Sequence, residues 1–214
     1  LKGYWIVVNS DVTLSLEEAV PLESDMLYSI HEYNNLISFP VEGAVSLSDG
    51  MSDNSGDGGI ILVSNGNTVA FYNGNSWEGS LTYFEGGKGY WVRSESSFDM
   101  VYNLSNYIDA SEFGCMDPDA SNYDSNAIIS GNCEYNPPEL FQYNMSIFSA
   151  FYSFDSITIN EGEIDSLDWI GAFNGDVCVG ARIIKQCGIG SCEVPVMGDF
   201  GDEFTTEYII PGGI

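Results

Sequence analysis

Positive charge is almost missing from this chain: 5 Lys and Arg and one His stand against 32 Asp and Glu, a formal net charge of −27 over 214 residues. Five dispersed cations cannot assemble a basic patch, which argues against any nucleic-acid partner. The same field repels an anionic membrane surface. No run approaches the ~18 apolar residues that span a bilayer, so membrane insertion is not expected. A basic, apolar leader and an initiating Met are both missing, which leaves open a leader removed or lying upstream. The single His31, beside Glu32, makes a nucleophile–base triad improbable. Gly56-Asp57-Gly58-Gly59 is acidic and lacks the Lys and helix start of a phosphate loop. Glycoside hydrolysis needs a pair of carboxylates, and 32 acids guarantee some pair and single out none. The expectation is a protein that is not an enzyme.

What is present is apolar enough to fold. Hydrophobic residues make up 44 % and aromatics 14 %, so the charge does not signal disorder. Self-repulsion of this size falls when salt screens it or divalent cations bind. A saline, calcium-containing medium would supply both, and a plain solubility device is the alternative.

There are five cysteines. Cys115 and Cys133 bracket a polar, turn-rich segment with little to hold it together, where a disulfide would substitute for a core. Cys187 and Cys192 flank Gly188-Ile189-Gly190-Ser191, a tip that a second bridge could close, leaving Cys178 as a buried small hydrophobe. A thiolate zinc site is the rival, but no CxxC is present and His31 is remote. Disulfides are favoured, and with them an extracellular or cell-surface location.

The organisation reads as all-β: two β-rich, sandwich-like domains joined by a disulfide-closed, Asp-rich linker. Residues 1–25 read as the closing strands of a preceding repeat module, because Lys2-Gly3-Tyr4-Trp5 recurs as Lys88-Gly89-Tyr90-Trp91. Residues 26–107 form a complete module, with strands expected over 35–39, 60–63, 68–72, 77–83, 89–93 and 98–104. Asn65-Gly66-Asn67 and Asn73-Gly74-Asn75 are hairpin turns between them. Residues 108–135 are the acidic linker. Residues 136–214 form a second β-rich domain in which Ile170–Phe173 and Val177–Ile184 make a hairpin around Asn174-Gly175-Asp176. Pro211-Gly212-Gly213 stops in mid-pattern, so this domain reads as incomplete at its C-terminus.

Three segments resemble modules of large secreted and surface proteins of marine bacteria of the Bacteroidetes and Marinimicrobia type. The first carries Tyr28-Ser29-Ile30-His31, Asn35 to Pro40, Trp77-Glu78-Gly79-Ser80-Leu81 and Lys88 to Trp91. The second is the linker Gly114-Cys115-Met116-Asp117-Pro118-Asp119-Ala120-Ser121-Asn122-Tyr123 with Gly131-Asn132-Cys133. The third is Asp168-Trp169-Ile170-Gly171-Ala172-Phe173 with Cys187, Cys192 and Val194-Pro195-Val196-Met197. The resemblance implies secretion, through a type IX-like route, and a modular surface or matrix protein. It implies no reaction.

Asp117, Asp119, Asn122, Asp124 and Asn126 offer hard oxygens suited to calcium, and the competing reading gives them to turns. Asp49, Asp53, Asn54 and Asp57 read as a solvated loop; Asp199, Asp202 and Glu203 are a weaker second calcium candidate. The aromatics Tyr4, Trp5, Tyr72, Trp77, Tyr83, Tyr90, Trp91 and Trp169 either pack a core or form a sugar-stacking platform. Adjacent Tyr90 and Trp91 point to opposite faces of a strand, so one of them belongs to the core.

The expected function is a structural repeat or subunit of a surface filament, surface layer or adhesin, its partners being copies of itself or neighbouring modules. Leu1, Gly3, Tyr4, Trp5, Ile6 and Val7 are candidates for strand addition into an open neighbouring domain. A chain that is part of a longer one explains the same ends. The alternative function is a carbohydrate-binding module of a secreted polysaccharide-active protein.

Overall fold

A computed structural model describes residues 8, 10, 12–13, 15, 23–52, 58–160, 162–187 and 191–212. The strand-addition candidates Leu1, Gly3, Tyr4, Trp5, Ile6 and Val7 lie outside the described residues. The structure is nearly all β.

Ten elements build the first unit: β1 (Tyr28–Ile30), β2 (Tyr33–Ser38), β3 (Ala44–Ser46), a single helical turn α1 (Leu47–Gly50), β4 (Ile60–Ser64), β5 (Val69–Tyr72), β6 (Trp77–Gly79), β7 (Tyr83–Glu85), β8 (Gly89–Ser94) and β9 (Phe98–Met100). An antiparallel five-stranded sheet runs β2-β8-β4-β5-β6, while β1 pairs with β9 and β3 with β7. Alternation along the strands buries one face: Tyr90 and Val92 of β8 are buried while Arg93 is exposed. These faces enclose an aromatic centre. The Phe84 ring lies 4.8 Å from Tyr90, 5.0 Å from Tyr102 and 6.0 Å from Phe39.

Both expected Asn-Gly turns form hairpins, β4–β5 and β5–β6. The run expected as one strand over 77–83 is broken. At Gly79, with φ of 131°, a Cβ would sit 2.3 Å from the Val69 carbonyl oxygen. The chain then leaves the large sheet, and β7 pairs with β3 instead. The run expected over 98–104 ends at Met100. Beyond it the Tyr102 side chain turns into the aromatic centre and the Asn103 amide donates to the Gly50 carbonyl at 3.1 Å.

The connector contains the short parallel pair β10 (Phe113–Gly114) and β11 (Ile129–Ser130). The second unit follows with a 3₁₀ turn (Glu139–Phe141), β12 (Ser149–Phe154), β13 (Thr158–Ile159), β14 (Gly162–Glu163), β15 (Trp169–Asn174), β16 (Val177–Ile183), a second 3₁₀ turn (Ile184–Gln186) and β17 (Cys192–Met197). The pairs β12–β17, β13–β14 and β15–β16 are all antiparallel. The β15–β16 and β12–β17 ribbons meet where Gly180 touches Pro195; a Cβ at Gly180 would lie 1.7 Å from the Pro195 carbonyl oxygen. Strand β17 carries a proline, tolerated in a ribbon where, among the described residues, one edge of the strand is unpaired. Among the described residues, no helix is long and apolar enough to cross a membrane.

Candidate functional site

The connector is organised by its own short polar side chains. Cys115 and Cys133 form a disulfide, and the Asp124 amide donates to the Cys115 carbonyl at 2.8 Å. Asn122 accepts from the Glu134 amide at 2.8 Å and donates to the Asn132 carbonyl at 3.0 Å, lacing the two ends of the loop together. Asp124 accepts from the Asn126 amide at 2.8 Å, and Asp117 from the Asp119 amide at 3.1 Å, as turn-forming Asp residues do. The five residues expected to suit calcium therefore already have partners. Among the described residues, no group of three or more His, Cys, Asp or Glu could hold a metal ion. A calcium ion here would have to displace Lys185 from Asp117. In the other two acidic candidates, Asp49 accepts from Ser46 and Asn106, and Asp202 from the Thr205 amide and hydroxyl. Asp53, Asn54 and Asp57 lie outside the described residues.

The few cations are concentrated where the regions of the chain meet. Lys88, in the turn before β8, pairs with Glu134 of the connector at 3.1 Å. Lys185 of the second unit pairs with Asp117 at 2.5 Å and Asp119 at 3.2 Å. Arg182, 2 % exposed on β16, donates from Nε to the Glu193 carbonyl at 2.8 Å and from Nη2 to the Asn67 carbonyl in the β4–β5 turn. Three of the five Lys and Arg thus each cross a boundary between regions. Of the others, Arg93 is exposed on β8 and Lys2 lies outside the described residues.

Neutral groups complete the junction. Tyr143 Oη donates to Asn67 Oδ1 at 3.2 Å, and Gln186 Nε2 to the Cys133 carbonyl at 2.6 Å. Asn132 donates to Glu85. Gly66 has a φ of 95°, a backbone conformation that favours glycine, and the Met145 methyl of the second unit packs against it.

The electrostatics follow from these contacts. The Lys185 hydrogen bond, helped by the Tyr135 hydroxyl at 2.5 Å, holds the Asp117 carboxyl down at about 2. Asp117 in turn raises the Lys185 ammonium. Burial, with Asp117 beside it, pushes Tyr135 up to about 12. Burial also raises Glu85, partly offset by the Asn132 hydrogen bond, and lowers Arg182.

Sequence reasoning missed Asn67, Tyr143, Arg182, Lys185 and Gln186. The signal that could have found the cations was their rarity: in so acidic a chain a retained cation has many carboxylates to choose from. Their chosen partners were not legible, because they depend on how the two units dock.

The aromatics divide. Tyr90 is buried, and Trp91 is half-buried on the opposite face of β8. Trp169 lies 6.4 Å from Phe141 in the second unit. Tyr4 and Trp5 lie outside the described residues. Tyr72, Trp77 and Tyr83, by contrast, share one groove of about 600 Å³. Tyr72 and Trp77 face each other across β5–β6, ring centroids 5.5 Å apart. Buried Leu47 and Leu81 also line the groove.

No family model, curated protein or solved structure matches the chain.

Proposed function

We propose that this protein is a non-catalytic structural module of an extracellular or cell-surface assembly, in which the disulfide-closed connector sets a fixed angle between successive β-rich units. The carrying observation is the placement of Lys88, Arg182 and Lys185, each of which joins one region to another. An acidic chain drives its parts apart, and these contacts oppose that repulsion at the points where separation would begin. The two disulfides fit an oxidising, non-cytoplasmic setting. Neighbouring modules or further copies of the chain are the partners that such a spacer serves.

The test is backbone ¹⁵N relaxation of the wild type and of the Arg182→Met/Lys185→Gln double variant. The wild-type units tumble with one correlation time. In the double variant the two times separate while the chemical shifts of Phe84 and its neighbours in the first core stay in place. Independent tumbling of the wild-type units sinks the spacer reading.

A further inference from the structure

We propose that the groove between the β5–β6 ribbon and the β3–β7 ribbon binds a neutral oligosaccharide. This inference does not rest on the structural reading above, and either can fail alone.

The first observation is charge. In a chain with 32 acidic residues, the described residues lining this groove include no Asp, Glu, Lys or Arg. Asp49, in the adjoining turn, is bound to Ser46 at 2.7 Å and Asn106 at 3.0 Å. Glu78 follows Trp77 on β6 and so projects to the other face, where it accepts from Asn73 at 2.5 Å. An anionic ligand would be repelled by the surrounding field, and among the described lining residues a cationic one finds no counter-charge. A neutral ligand meets neither obstacle.

The second observation is the pairing of surface types. Two aromatic rings set at 58° to each other, with Tyr83 beyond them, offer apolar faces to the C–H face of a pyranose ring. Ser48, Ser52, Asn75, Ser76 and Thr82 surround them with uncharged donors and acceptors. The volume of about 600 Å³ falls in the range of small-ligand clefts.

The third is that the rings are held in advance of binding. Trp77 packs against the first core, and Tyr83 meets Phe113 edge-on at 4.9 Å. Asn73 Oδ1 accepts from the amides of Asn75 and Ser76, both at 2.9 Å, which fixes the hairpin carrying Tyr72 and Trp77. A ligand site already ordered loses less conformational entropy on binding.

Tryptophan fluorescence and isothermal titration test this with cellohexaose, xylohexaose, laminarihexaose and mannohexaose as neutral probes and hexagalacturonate as the anionic one. At least one neutral probe binds saturably at one site per chain, and hexagalacturonate does not. Tyr72→Ala weakens that binding about tenfold, equivalent to about 1.4 kcal/mol, with the far-UV circular dichroism spectrum unchanged. Ser48→Tyr, an exposed position on α1, fills the groove and weakens binding at least as much without touching the core. The proposal is overturned by no saturable neutral binding up to about 1 mM. It is equally overturned by preference for the anionic probe, or by binding that neither substitution weakens.

Discussion

The two β units solve the same problem with different means. Among the described residues, the first buries sixteen side chains in one cluster centred on Phe84, while the second buries Val179, Val196, Met197 and Tyr208 in its cluster. The second also encloses Arg182 and Glu193, each 2 % exposed, and carries the Cys187–Cys192 disulfide. Where apolar burial is plentiful, strands can be short and still hold. Where it is scarce, a cross-link and charged hydrogen bonds to carbonyls stand in for it. The junction belongs to the second style, being polar, cation-rich and anchored on a disulfide loop.

Truncation tests that contrast most strongly. Phe84→Ala should destabilise the protein by about 3–5 kcal/mol, because its neighbours cannot collapse into the space. Met197→Ala, in the smaller cluster, should cost nearer to about 2 kcal/mol. Urea denaturation of the two variants measures both values. Equal losses would mean that the second core is as tightly packed as the first.

Opening the connector comes next. Replacing Cys115 and Cys133 together by Ser should cost about 3 kcal/mol for a closed loop of this size. The loss should appear first as faster amide exchange in residues 112–134, with Phe84 and its neighbours still protected. A loss shared evenly by all amides would show that the connector is not a separate layer of stability.

The smallest effect is acidic titration of the Asp117–Lys185 pair, the clasp between connector and second unit. Asp117 is held below its ordinary value, so its contribution is complete above pH about 4 and disappears as pH falls toward about 2. Lys185 is raised, so its contribution is present below its ordinary value of about 10.4 and vanishes as pH climbs through the folded one. Glu85 has the opposite sign to Asp117. Its raised value means that acidification relieves a penalty before the clasp is touched. Stability should therefore rise slightly as pH falls toward the ordinary Glu value of about 4.5 and fall below about 4. Lys185→Gln should flatten the fall and spare the rise. Thermal unfolding across the pH series in both proteins is the measurement, and identical profiles would show that the clasp carries no pH dependence.

Much of the first unit was legible because local chemistry decides it. Asn-Gly pairs specify tight turns whatever lies around them, and β2, β4, β5 and β8 show the expected strand composition. The bridges Cys115–Cys133 and Cys187–Cys192 join the cysteines that sequence reasoning paired. Strand β17 was hidden, since Glu193 and Pro195 interrupt its apolar pattern and only its partner β12 explains them. The Asn65-Gly66-Asn67 turn was recognised as a turn but not as a docking tip. Nothing local to a turn records what will sit on it, and here it is Met145, Tyr143 and Arg182. The groove of Tyr72, Trp77 and Tyr83 was half visible: the residues stood out, but their convergence depends on the break at Gly79.

Cys178, 6 % exposed, is the fifth cysteine and the one outside the two disulfides. A third thiol can scramble neighbouring bridges by attacking them as a thiolate. Burial raises its pKa, and its Sγ rests 3.4 Å from the Gly180 carbonyl oxygen inside the ribbon crossing. Once β16 has docked, the thiol is withdrawn from exchange. The consequence concerns oxidative folding: Cys178 is open to exchange with a bridge only while the crossing is open.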